Sequence, residues 1–318
     1  MHLCLSSHGE VLYRDEEDFI MGFNSLALAV WDTDSRLLAE GFITTHNHKA
    51  VQTDNYKELI KRDRYTYTRY FNAKYHRQGK LGARDVFVLP VEGIHHTQVL
   101  LNYVIRQAVH HGLAATPFEY EHCSANCFFR KALGKDVNIV ALKSIGEYSY
   151  LPEHKKLPSS YKMLKSGLIV REDVIDTSYV EEIYITPRNF LYQMNRITDE
   201  KVLEEQKTEN KMEPVSLALV EKGVQEFDVQ KALINEQGRV NHSAMTDIEL
   251  CSLIDNVLLP RFLKESDYQS VYSLPVSRRN EIGNLLYMES KRFGKAKNND
   301  LLENKTVSVA QIRRCLAL

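Results

Sequence analysis

Basic and acidic side chains nearly cancel over the 318 residues, 41 against 42, so the whole chain carries no electrostatic signature of a nucleic-acid protein, and only the distribution of charge can supply one. Five scattered cysteines, an odd number, offer no disulfide framework and point to a reducing compartment. No apolar stretch approaches a bilayer span and the first residues lack a basic-then-apolar leader, so the expectation is a soluble cytoplasmic protein of two or three domains with no membrane partner.

Short strand pieces are predicted near Leu3–Leu5 and Val11–Tyr13. Asp15-Glu-Glu-Asp18 then makes an acidic start for a helix from Phe19 to Ala29. Arg36 to Thr45 reads as a strand running into His46-Asn-His48. Asp54 to Tyr75 has helical spacing, Gly79 to Gly82 is a turn, and Val86 to Val91 is an apolar strand. Thr97 to His110 reads as a helix stopped by Gly112. This order predicts an α+β domain with a small sheet over residues 1–150.

Pro152, Pro158 and the lysines between them suggest a boundary, after which 151–318 reads as mostly helical. Helices are predicted over Val180–Met194 with Pro187 at a helix start, Thr246–Phe262, Ser273–Phe293 and Val307–Leu316, with a charged loop or exposed helix at Asp199–Glu213. Residues 275–318 carry nine bases against four acids, and Ser308 caps the last helix, so this pair is a candidate DNA-reading helix-turn-helix; the alternative is an ordinary helical bundle.

Charge is segregated in the first domain. Met1 to His48 holds eight acids and two bases, whereas Lys49 to His111 holds eleven bases and five acids. Six tyrosines interleave with those bases. Lys and Arg can neutralise phosphates while rings stack on unpaired bases; the plainer reading is a solvated helix face with Tyr at core edges.

Two motifs carry the chemistry. In a strand, His46 and His48 point to one face because side chains alternate with period two. In a helix, Tyr103 and Gln107 share a face at i and i+4. Two imidazoles, an amide oxygen and a phenol are the parts of a metal-assisted nucleophilic site, in which a metal grips a phosphate oxygen and the phenol attacks phosphorus. Either motif alone is weak. Their order and placement together are more specific.

Ser7-His-Gly-Glu-Val-Leu-Tyr-Arg-Asp-Glu-Glu-Asp18, Ala39-Glu-Gly-Phe-Ile-Thr-Thr-His-Asn-His48, Tyr67-Thr-Arg-Tyr-Phe-Asn-Ala-Lys-Tyr-His-Arg-Gln-Gly79, Tyr103-Val-Ile-Arg-Gln107 and Pro117-Phe-Glu-Tyr-Glu-His-Cys-Ser124 follow in an order that resembles the IS200-like and REP-associated single-tyrosine (Y1) transposases of the HUH endonuclease superfamily. The resemblance covers about Leu3 to Ser124. It implies a ferredoxin-like or RRM-like antiparallel sheet with helices on one face, followed by the helical C-terminal region. It implies Tyr103 as nucleophile, His46, His48 and Gln107 as ligands of a divalent metal (Mg²⁺ or Mn²⁺), and a 5′-phosphotyrosine intermediate in cutting and joining DNA strands, the chemistry of transposition and DNA recombination. Single-stranded or hairpin DNA would be the partner, with Lys49, Arg69, Lys74, Arg77, Arg84 and Arg106 as candidate DNA contacts. A homodimer fits the insertion-sequence branch of the family. Two departures stand out. Asn47 replaces a bulky apolar residue, and Lys49-Ala-Val-Gln52 replaces a bulkier apolar strand. They leave open a decayed or domesticated copy that binds DNA without cutting it.

Other candidates carry less. His122, Cys123 and Cys127 make an incomplete zinc set. His110 and His111 suit the C-terminal end of a helix. His95 and His96, near a helix start after Gly93, read as surface or capping residues, with a phosphate contact as the alternative.

Overall fold

A computed structural model of the protein describes residues 1–135, 150–152, 155–195, 219–220, 222, 224, 244–262, 270–292, 300–303 and 305–318. Its first seven main elements are β1 (His2–Ser6), α1 (Glu16–Asp32), β2 (Arg36–Ile43), β3 (His46–Gln52), α2 (Tyr56–Lys74), β4 (Phe87–Leu89) and α3 (Ile94–Ile105). The strands form one sheet in the order β2-β3-β1-β4, and each neighbouring pair is antiparallel. A βαββαβ chain in that order is the ferredoxin-like arrangement expected from the sequence.

The expected single strand from Arg36 to Thr45 is instead a hairpin. β2 stops at Ile43, Thr44 and Thr45 turn, and the histidine pair opens the return strand β3. The turn lacks the Gly or Asn that marks a tight hairpin in a sequence. It is held from outside, by the N–H of Leu12 on Thr44 O and that of Ser7 on Thr45 O, each at 2.7 Å.

Cross-strand register fixes the two faces of the sheet. Leu3, Leu5 and Lys49 face Leu26 of α1 and Leu59, Ile60 and Asp63 of α2. Both helices start on side-chain caps, where Asp15 accepts from the N–H of Asp18 and Asn55 from that of Glu58. The helices expected on one face are thus present, and α3 covers the other. Its approach is close at Gly41, where a Cβ would fall 2.3 Å from the carbonyl oxygen of Val104. The helix starts at Ile94 behind Gly93 (φ 93°), three residues before the expected start at Thr97. It breaks at Arg106 and resumes as the short α4 (Gln107–His110).

Beyond residue 150 the described chain is mainly helical. Helices Thr177–Tyr184 and Pro187–Asn195 pack on α3, with Tyr184 Oη donating to Asn102 Oδ1 at 2.7 Å. Leu151, Met163, Val180, Tyr184 and Phe190 belong to the same buried core as Leu3 and Val104, so the expected boundary near residue 150 does not separate cores. A second core joins Val11 to Leu250, Ile254, Ile282, Leu286 and Ile312. Its first helix runs from Asp247 to Phe262 through a π turn at Ile254–Leu258. Pro260, one turn on, lacks the N–H that an α-helical ladder needs. Ser308 caps Val309–Cys315 as expected, its side chain accepting from the N–H of Gln311. That helix follows Val276–Arg292 only after residues 293–308, far more than the three or four residues of a helix-turn-helix. The Asp199–Glu213 segment lies outside the described residues. No helix among the described residues is long and apolar enough to cross a membrane.

Candidate active site

Period-two alternation places His46 and His48 on the α3 side of the sheet, and register puts them beside Ser6 and Cys4 of β1. Asn47 goes to the opposite side, as its position between the pair requires, and donates to Tyr13 Oη at 2.6 Å. From above, α3 and α4 bring Tyr103 and Gln107, which straddle the break at Arg106 yet stay linked, Gln107 Nε2 donating to Tyr103 O at 3.0 Å.

The four residues meet in one layer. Gln107 Oε1 lies 3.2 Å from His46 Nε2. The His46 and His48 rings meet edge to face at 4.9 Å between centroids, and the Tyr103 ring stands 5.0 Å from that of His48. Each imidazole has its Nδ1 engaged away from the layer, His46 with Thr45 Oγ1 at 3.1 Å and His48 with His2 Nε2 at 2.8 Å. The Nε2 of His46 then faces Gln107, while that of His48 lies 3.9 Å from Cys4 Sγ. An outward bond that fixes ring orientation is the usual support of a metal-ligating histidine.

Sequence reading missed part of this cluster. His2 stacks on His48 at 5.0 Å between centroids, and its Nδ1 is buried with no hydrogen-bond partner among the described residues. His111 meets the His46 ring at 4.6 Å, and His110 meets Tyr103 at 5.4 Å. Alternation along β1 was the available signal for His2, since His2, Cys4 and Ser6 share a face.

Burial sets the electrostatics. His46 and His48 are fully buried, Gln107 is 1% exposed and Tyr103 5%. Desolvation pushes the His2 imidazole down to about 3 and that of His110 to about 4, and holds His46 and His48 well below their ordinary value, with neighbouring imidazoles adding to it. All four are neutral at pH 7, the form that binds metal. Two neutral imidazoles and an amide oxygen suit a divalent cation in kind. Among the described residues no three His, Cys, Asp or Glu side chains converge as a metal site, so Gln107 is needed to complete a ligand set. Burying so many polar rings on a face that apolar residues could fill is costly, and clusters of perturbed titratable groups mark functional sites more often than plain cores.

The candidate DNA contacts scatter. Lys49 is buried on the helix side of the sheet, paired with Asp63. Lys74 is clamped by Asp15, Glu17 and Asp18, and Arg77 by Glu10. Arg106 is 7% exposed, and desolvation lowers its guanidinium from the ordinary value. Only Arg69 and Arg84 of the six are exposed. Nor do His122, Cys123 and Cys127 form a zinc site. His122 stacks on Phe19 and pairs with Glu16, while Cys123 donates to the carbonyls of Pro117 and Tyr120.

No family model and no curated protein matches the chain. Among solved structures it is similar to a REP-associated tyrosine transposase bound to a REP hairpin, at 10% identity and a TM-score of 0.35, over 50% of this chain and 92% of that one. At that TM-score the likeness carries no functional conclusion by itself.

Proposed function

We propose that the chain is a metal-dependent, single-tyrosine endonuclease and strand transferase acting on single-stranded or hairpin DNA. The observation that supports this best is the meeting of Tyr103, Gln107, His46 and His48 in one layer of neutral groups between the sheet and α3. Tyr103 Oη attacks a backbone phosphorus. An Oη–P bond forms, the P–O3′ bond breaks, and the phenol's proton is balanced by the one the freed 3′ oxygen takes up. The 5′-phosphotyrosine keeps the energy of the broken linkage, so a 3′-OH can reverse the step without a nucleotide cofactor. His46 Nε2, His48 Nε2 and Gln107 Oε1 would hold Mn²⁺ or Mg²⁺, which when bound supplies a positive charge against the scissile phosphate. His2 and Thr45 orient the two imidazoles. DNA reaches this layer only when α3 lifts from the sheet. Gly93 and Gly112, both at positive φ, bracket the α3–α4 segment that would move.

The test is covalent capture. The protein and its Tyr103→Phe variant are mixed with labelled single-stranded DNA pools, with Mn²⁺ or chelator, and run on a denaturing gel. A shifted band that needs both metal and Tyr103 is expected. Cleavage that survives Tyr103→Phe would mean a water nucleophile.

A second reading is favoured by the closure of the site. All four residues are at most 5% exposed, and both His48 nitrogens already have neighbours in β1. A decayed or domesticated copy that binds DNA without cutting it would keep this packing and give no covalent band.

A further inference from the structure

On the far side of the sheet from Tyr103, the outer face of α2 and the segment leading into β4 enclose a cleft of about 490 Å³. One wall is a helical stripe. Lys57, Lys61, Arg64 and Thr68 are spaced by four, three and four residues and therefore share a face, with Tyr65 beside them. The other wall carries Lys80, Arg84 and Asp85.

Three features separate this cleft from an ordinary solvated helix face. Five bases meet one acid, Asp85. Among the described residues Lys57, Lys80 and Arg84 have no carboxylate partner, and Lys61 reaches only Glu58, at 3.4 Å. Elsewhere in this domain Lys49, Lys74 and Arg77 all pair with acids, so much of the uncompensated charge collects here. The walls are also tied together. The Arg64 guanidinium donates to the carbonyls of Leu81 and Arg84 at 2.7 and 3.0 Å, and within the second wall Lys80 Nζ donates to Arg84 O. Finally, Tyr65 is 63% exposed, and the Arg69 guanidinium lies 5.7 Å from its ring centroid. A large ring left in solvent and backed by a guanidinium offers a planar stacking surface.

We propose that this cleft binds the sugar-phosphate backbone of single-stranded nucleic acid, with Tyr65 stacking on an unpaired base. Lys57, Lys61 and Arg84 meet phosphates, and Arg64 holds the walls at a fixed width. An acidic peptide would use the same charges but has no need of the ring. The sheet lies between the cleft, on its α2 side, and the Tyr103 layer, so the cleft is a second contact, separate from the cutting site. It goes beyond the proposed cleavage and does not depend on it.

The experiment uses the full chain carrying Tyr103→Phe, in chelator, so that no covalent step enters. Binding of a fluorescent oligothymidylate of about 16 nucleotides is followed by anisotropy against salt. The triple variant Lys57→Glu, Lys61→Glu, Arg84→Glu is expected to bind at least about tenfold more weakly, and the slope of log affinity against log salt to fall by about 2. Tyr65→Ala should weaken binding by about tenfold with the slope unchanged. All four residues are exposed, and unfolding curves matching the parent confirm that the variants fold. Unchanged affinity and slope in the folded triple variant would overturn the proposal. Loss on charge reversal with no effect of Tyr65→Ala, together with equal competition by polyglutamate, would overturn it in favour of an acidic protein partner. Covalent capture by Tyr103 is read separately, so failure there leaves this result standing, and the reverse holds.

Discussion

Thr44 Oγ1 donates to Asp247 Oδ2 at 2.9 Å, joining the turn two residues before His46 to the first residue of helix Asp247–Leu253. The same carboxylate receives Arg314 Nε at 2.7 Å and Nη2 at 2.8 Å, and Gln311 Nε2 at 3.1 Å. Nearby, Arg14 grips Asp255 with two bonds and the Cys315 carbonyl with a third. The C-terminal helices therefore brace the hairpin that starts the histidine strand, and they supply the support that its own turn sequence lacks.

Asp247→Ala would strip the buried Arg314 guanidinium of this carboxylate, at a cost of about 3–5 kcal/mol. Thr44→Val removes a single bond and should cost about 1 kcal/mol. Urea unfolding measures both. In Thr44→Val, amide exchange over His46–His48 should also accelerate. An Asp247→Ala protein as stable as the parent would show that the two parts of the chain fold independently of this contact.

Gly41 faces the helix that bears the tyrosine. A methyl group there meets Val104 O, which is backbone and cannot swing aside. Gly41→Ala should destabilise by about 1–3 kcal/mol as α3 is pushed outward. Covalent product should fall further than stability alone explains, because Tyr103 and Gln107 move with the helix. Wild-type capture and an unchanged urea midpoint would contradict the close approach.

Local periodicity makes much of this site legible in the sequence. His46 and His48 share a face because strands alternate, and Tyr103 and Gln107 meet because helices repeat, even across a break. Three things are illegible there because they depend on register or on distant segments. The partnership of His2 with His48 follows from how β1 pairs with β3. The Thr44-Thr45 turn is held by Ser7, Leu12 and Asp247 rather than by turn residues. Most instructive are the bases. The acidic first segment folds against the basic second one, so Lys74 meets Asp15, Glu17 and Asp18, Arg77 meets Glu10, and Arg62 meets Asp32. Counting charge by segment shows the two excesses but not that they cancel.

Stability should fall as pH drops below 6.5. His2, with its imidazole at about 3, and His110, at about 4, stay neutral in the folded chain, as do His46 and His48, while an unfolded chain protonates near 6.5. The unfolded state then binds more protons, so the stability conferred by these rings is present above 6.5 and is lost as pH falls towards 4. Two buried carboxyls act in the opposite sense. Desolvation raises Asp18 to about 6 and Glu40 to about 7, so the folded chain holds those protons longer. Four imidazoles against two carboxyls leaves acid destabilising. The urea midpoint should decline across this window, and more gently in His2→Asn. A midpoint that is flat or rises on acidification would mean that the imidazoles are not buried neutral.

His2 gives the sharpest test of how the layer is built. Its Nε2, 2.8 Å from His48 Nδ1, fixes the orientation of that ring and leaves Nε2 as its other nitrogen. If His48 is a ligand, losing this support should weaken metal binding rather than remove the nucleophile. In His2→Ala, the Mn²⁺ concentration needed for half-maximal covalent capture should rise about 10–100-fold, with the yield at saturating Mn²⁺ retained. His2→Gln, which keeps a polar group near Nδ1, should recover part of the loss. A His2→Ala protein that is less stable but has an unchanged Mn²⁺ dependence would reduce His2 to packing. It would also show that His48 Nδ1 needs no partner to orient the ring.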